Sequence, residues 1–164
     1  MRKTVAVVGV GNLLLRDEGV GVQVLRALEG AGLGEVVDLI DAGTAFLDAA
    51  ELVAGYSRVI VIDAMRAGGE PGSIYGAVLD DIDAAGQGLA ASLHGLGLED
   101  ALHMARMGGV KLGAVELIGI EPQDIATGME LSPVVEGAVR RVVRRLVEEL
   151  SGSSPLAEAK ETVA

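Results

Sequence analysis

The chain has 164 residues, half of them hydrophobic and only 2% aromatic, so length alone allows one domain with an aliphatic core of Val, Leu, Ile and Ala. It contains no cysteine, which removes disulfides, thiolate metal sites and cysteine nucleophiles together and suits a reducing cytoplasm. A formal net charge of −11 argues against nucleic acid or an anionic membrane as partner and is read as solubility, and no apolar run approaches the ~20 residues of a membrane span.

Met1-Arg2-Lys3-Thr4-Val5 has the basic-then-apolar opening of a signal peptide. The run ends in Gly9-Val10-Gly11-Asn12 without a small-residue cleavage pattern, so Thr4 to Val10 is expected as a first buried strand. Val20, Val24, Leu25 and Leu28 follow at helical spacing, and Gly30 and Gly32 end that helix. Val36 to Ile40 predicts a second strand, closed by Asp41-Ala42-Gly43-Thr44. Phe46, Leu47, Ala50, Leu52 and Val53 predict a second helix. Arg58 to Ile62 is the most uniformly apolar strand and stops at Asp63.

A turn at Gly68 to Gly72 leads to Ser73–Leu79, read as an edge strand, and Asp80 to Gly88 is read as a loop. Leu98 to Met107 has helical spacing, and Ala114 to Ile120 is another strand. Ser132-Pro133 is a helix start, a hydroxyl cap followed by Pro at the first helical position. Val135, Val139, Val142, Leu146 and Leu150 share one face of that helix. Arg140, Arg141, Arg144 and Arg145 project elsewhere, as a solvated face. Residues 1–150 are expected as one domain and 151–164 as a frayed tail. Strands alternating with helices predict a three-layer α/β/α sandwich with a mostly parallel twisted sheet.

Ligands of such a sheet bind outside the carboxyl ends of its strands. There the sequence puts Asn12, Asp17 and Glu18, then Asp41 and Thr44, then Asp63, His94 and Glu121. Gly9-Val10-Gly11 after a strand invites a dinucleotide reading. Leu14 stands where the third small residue of that fingerprint belongs, and only Arg16 is near to hold a phosphate. The sequence has neither a Walker loop nor a Gly-x-Ser-x-Gly elbow. What remains is a metal or water-activating site: Glu18, Asp63 and His94 supply two oxygens and one nitrogen from three segments, with room for a reactive fourth position. On chemistry alone the plainer reading weighs more, with Asp63 as a strand-end cap and His94 as an ordinary helix-start residue. His103, in mid-helix beside Met104, is read as structural.

Six blocks in order resemble the nickel–iron hydrogenase maturation proteases. They are Gly9 to Gly21, Asp41-Ala42-Gly43-Thr44, Ile62-Asp63-Ala64, Ser92 to Leu98, Gly119-Ile120-Glu121-Pro122 and Leu131 to Val135. The resemblance spans Val5 to about Val143. Its one small departure is Ala42, where the family usually has glycine. It implies a flavodoxin-like or phosphorylase-like sandwich. It also implies an endopeptidase that removes the C-terminal extension of the nickel-loaded hydrogenase large-subunit precursor, with Glu18, Asp63 and His94 as catalytic, metal-binding residues. The implied cofactor is nickel, largely supplied by the substrate, with zinc or cadmium able to substitute. The alternative is a non-catalytic module, either nucleotide-binding or a metal chaperone that leaves the precursor uncut.

Overall fold

The alternation of β-branched runs and helical stripes folds as a five-stranded sheet between helices in the computed structural model, which describes residues 3–44, 46, 50–79 and 98–152. The elements are β1 (Val5–Gly9), α1 (Val20–Gly30), β2 (Asp38–Asp41), β3 (Arg58–Ala64), β4 (Ile74–Val78), α2 (Leu98–Met107), β5 (Ala114–Ile120) and α3 (Pro133–Leu150). Short 3-10 turns lie at Arg16–Gly19 and Leu33–Glu35. The strand order is β2-β1-β3-β5-β4. All neighbours are parallel except β4, which runs antiparallel along the edge beside β5. The expected α/β sandwich with a mostly parallel sheet is what the chain forms, and the edge strand expected over Ser73–Leu79 is β4.

Both faces of the sheet are apolar because both are covered. Side chains alternate along each strand, so one core is made of Ala6, Val8, Val59, Val61, Val115 and Leu117 against Ala101, Leu102 and Ala105 of α2. On the other face Val7, Ile60, Ile62, Ile118 and Ile120 pack with Val20, Val24 and Leu28 of α1 and Val135, Val139, Val142 and Leu146 of α3. Full burial of one such side chain stabilises by about 1.5–3 kcal/mol, and these two layers hold the sheet between its helices. The four arginines of α3 are exposed as expected. Two of them make loose i,i+4 pairs, Arg140 with Glu136 and Arg145 with Glu149, each at 3.8 Å.

Several boundaries differ from expectation. The second strand begins at Asp38 because Leu33–Glu35 closes a 3-10 turn first, which buries Leu33 and Val37 beneath α1. The third strand runs through Asp63 to Ala64, since pairing with β5 continues to the couple Ala64–Ile120. The helix expected around Phe46 to Val53 lies partly outside the described residues. Its described part from Ala50 onward is turn, although Phe46, Ala50 and Val53 are buried against the sheet. The expected loop at Asp80 to Gly88 and the chain beyond Gly152 lie outside the described residues. Among the described residues no helix is long and apolar enough to cross a membrane.

The end of the sheet where its parallel strands begin is tied by charge. Arg58 grips Glu116 with two hydrogen bonds of 2.7 and 2.8 Å and reaches Glu149 at 2.6 Å. Asp38 accepts from Tyr56 and pairs with Lys3 at 3.2 Å.

Candidate functional site

From β1 the chain goes to β2 on one side and returns to β3 on the other. That reversal opens a crevice at the carboxyl ends of β1 and β3, the place where doubly wound sheets bind ligands. Three backbone hydrogen bonds draw the surrounding loops together: Val10 N–H to Ile62 O at 2.9 Å, Gly11 N–H to Gly43 O at 2.8 Å, and Ala42 N–H to Gly9 O at 2.9 Å.

The glycines of the first block allow backbone to lie on backbone. Gly11 has φ +150°, and a Cβ there would collide with the carbonyl oxygen of Glu18. A Cβ on Gly21 would strike the carbonyl oxygens of Ile62 and Val10. The loop after β1 therefore folds back upon itself, and α1 starts directly against β3. In this chain the Gly9-Val10-Gly11 pattern provides close packing, and Asn12 turns the loop by accepting the Leu14 N–H at 2.9 Å.

That turn carries Glu18, which is half-buried, to the crevice beside Asp63 of β3. Asp63 is only 7% exposed. Burial above all, helped by the nearby charge of Glu18, pushes its carboxyl up to about 8 against a lowering hydrogen bond from the Ala64 N–H. As expected, the sheet sets the ends of β1 and β3 side by side, and the charge of Glu18, on the turn after β1, reaches Asp63. His94 lies outside the described residues.

The other edge residues have local roles. Asp41 is exposed and accepts the Gly43 N–H at 2.8 Å, and Thr44 is exposed. Glu121 is buried and accepts 2.8 Å hydrogen bonds from the Ala67 N–H and the Tyr75 hydroxyl, which shapes the β3–β4 connection. His103 is exposed on α2. Arg16, the cation nearest the glycine loop in sequence, binds Asp124 at 2.6 Å and the Glu130 carbonyl at 3.2 Å.

Asp17 does not face the crevice as an available donor. It is fully buried and accepts four hydrogen bonds, from the N–H groups of Gln123, Asp124 and Ser132 and from the Ser132 hydroxyl, at 2.7–3.0 Å. Burial pushes its carboxyl up, but those donors outweigh it and hold the group below the usual carboxylate range. Ser132 precedes α3 as expected, yet its hydroxyl serves Asp17 and makes no cap bond to the helix. Sequence spacing carries no signal for this cluster, because its partners stand more than 100 residues apart.

A doubly wound α/β sheet with paired carboxylates at its switch point defines the general class. The family model described as hydrogenase maturation protease matches residues 22–149. A hydrogenase expression/formation protein of Rhodobacter capsulatus is 34% identical over 148 residues, covering 89% of this chain and 70% of that one. The hydrogenase 2 maturation protease of Escherichia coli is 29% identical over 161 residues, covering 97% and 98%. Among solved structures, the hydrogenase maturating endopeptidase of Escherichia coli aligns with TM-score 0.73 at 28% identity, covering 94% of each chain. The hydrogenase 2 maturation peptidase of a Thaumarchaeota archaeon aligns with TM-score 0.68 at 35% identity, covering 91% of this chain and 99% of that one. The chain belongs to the hydrogenase maturation protease family, and it is a peptidase.

Proposed function

We propose that the chain removes a C-terminal extension from a nickel-loaded nickel–iron hydrogenase large-subunit precursor, and that Glu18, Asp63 and His94 bind the nickel the precursor carries. The observation that supports this reading most is that Glu18, on the 3-10 turn after β1, lies near enough to Asp63 of the adjacent parallel strand β3 for its charge to raise that carboxyl. The negative charge of Glu18 disfavours ionisation of Asp63, and a divalent cation bound between them would relieve that effect. Oxygen donors with one imidazole suit nickel, zinc or cadmium.

When bound, nickel supplies Lewis acidity to a carbonyl or a water. The chain's own part is positional. Glu18 and Asp63 present oxygens from a rigid sheet end, and His94 adds the nitrogen. Burial raises the Asp63 carboxyl to about 8, and a cation beside it would favour the deprotonated, metal-binding form. Choice of substrate then follows from ligand exchange at the metal. Absence of cysteine suits a reducing cytoplasm, where we place the reaction.

Incubation with nickel-loaded precursor, read by its mass before and after, tests the proposal. Loss of a C-terminal peptide is expected with loaded precursor and not with the nickel-free form. A nickel-loaded precursor that is bound but left uncut would overturn the proposed substrate.

A further inference from the structure

We infer that Asp17 is a positioning residue for Glu18: its buried carboxylate ties the 3-10 turn Arg16–Gly19 to the segment Gln123–Ser132 and thereby fixes where Glu18 stands against Asp63. The inference rests on the proposed role of Glu18 in metal binding.

A buried carboxylate is normally costly and is retained where its charge is fully met by donors. Asp17 has no exposed surface, and both its oxygens are used. Oδ1 takes the Ser132 N–H at 2.7 Å, while Oδ2 takes the Ser132 hydroxyl at 2.8 Å and the N–H groups of Asp124 and Gln123 at 2.9 and 3.0 Å. What it grips is unusual for an anchor that serves the core alone. Of residues 123–130, all but Asp124 and Gly128 are exposed. Asp17 thus holds a surface strap to the Glu18 turn.

Its neighbour on the other side is fixed by the same strap. Arg16 has φ +47°, a left-handed conformation that a non-glycine residue keeps only where its surroundings impose it. Here the Arg16 N–H donates to Gly128 O at 2.8 Å, and its guanidinium binds Asp124 and the Glu130 carbonyl. The Asp17 N–H adds a bond to Asp124 O at 3.1 Å. Glu18 follows immediately. Its N–H donates to Leu15 O at 3.1 Å, and its carbonyl lies against Gly11. The two residues before Glu18 are therefore pinned at backbone and side chain, which fixes the point from which the Glu18 side chain leaves the turn.

The test compares Asp17→Asn, Glu18→Ala, the double variant and Ser132→Ala in the full chain. Cadmium affinity is read by calorimetry, and cleavage of nickel-loaded precursor is read by mass, well below each variant's Tm. Asp17→Asn keeps the volume but has one accepting oxygen, and a loss of about 10- to 100-fold in affinity and in cleavage is expected, as for partners that orient metal-binding groups. In the Glu18→Ala background the same substitution should cost no further affinity, while its Tm loss persists. A purely structural Asp17 would lower Tm in both backgrounds and leave affinity and cleavage unchanged. Should Asp17→Asn not fold, Ser132→Ala removes one bond of four and should lower cleavage about threefold. Wild-type behaviour of folded Asp17→Asn, or of Ser132→Ala in its place, beside an inactive Glu18→Ala overturns the positioning alone. Wild-type behaviour of Glu18→Ala overturns the site reading and this inference with it.

Discussion

Asp17 and Asp63 are both buried aspartates at the same end of the same sheet, and their surroundings push them in opposite directions. Around Asp17, four donors answer the carboxylate, so its charge is stable and inert. Around Asp63, one backbone N–H is set against burial and the charge of Glu18, so the carboxyl is raised to about 8. Burial alone does not decide the charge of an acid; the supply of donors does. The satisfied aspartate belongs to the scaffold, and the unsatisfied one has capacity left for a ligand.

The largest effect should come from the unsatisfied side. Glu18→Gln, Asp63→Asn and His94→Ala are each expected to lower precursor cleavage by about 100-fold or more, at a stability cost on the order of 1 kcal/mol. Parallel cleavage assays and thermal melts check this. Near wild-type cleavage by any of the three would remove that residue from the site. Next in size is Asp17→Ala, which strands several buried donors and should cost about 2–4 kcal/mol in denaturant unfolding. A cost under about 0.5 kcal/mol would mean that water replaces the carboxylate without loss.

The pH dependence of stability should separate the two acids by sign. Asp63 has a folded value above its unfolded one of 3.8, so the folded chain binds the extra proton. Its cost is absent below about pH 4, grows as pH rises, and is complete above about pH 8. The Tm of metal-free Asp63→Asn should therefore rise relative to that of wild type as pH increases across that window, whatever the fixed cost of the substitution. Asp17 has a folded value below 3.8, so its contribution is present above that pH and lost as pH falls through the folded value. The stability deficit of Asp17→Asn should accordingly shrink in acid. Melts in chelator across the range decide it; parallel pH profiles for the two variants would collapse the distinction. The smallest effect should be Arg145→Ala, far from both acids, with a side chain 63% exposed and an ion pair of only 3.8 Å. Its change in unfolding free energy should stay below about 0.5 kcal/mol, and a larger one would show that the α3 face is more than solvated surface.

Much of this arrangement is legible in the residues. Val5 to Gly9, Arg58 to Ile62 and Ala114 to Ile120 announce parallel strands because both sides of each are apolar, and the 3.6-residue stripe of α3 gives its buried face directly. Glu18 and Asp63 follow from the rule for strand ends once alternation fixes the topology. Less legible is anything set by distant partners. Ser132 before Pro133 reads as a helix cap, because local pattern cannot show that a buried acid from the other end of the chain competes for its hydroxyl. Gly9-Val10-Gly11 suggests a phosphate cradle until the fold shows that a carbonyl occupies the space a Cβ would need. The strand start at Val36 was displaced for a similar reason, since Val37 packs under α1 before pairing begins.

The bond between Asp17 and Ser132 also says something about when the protein becomes complete during its synthesis. It joins residues 115 positions apart. A ribosome-bound chain that has released β1, α1, β2 and β3 already contains both Glu18 and Asp63, yet the strap that clamps Asp17 has not been made. Contacts of such long sequence separation close late, after the local ones. The clamp is therefore among the last parts of the fold to form, and a truncated product ending before Gln123 would carry both carboxylates without the clasp that holds them in register.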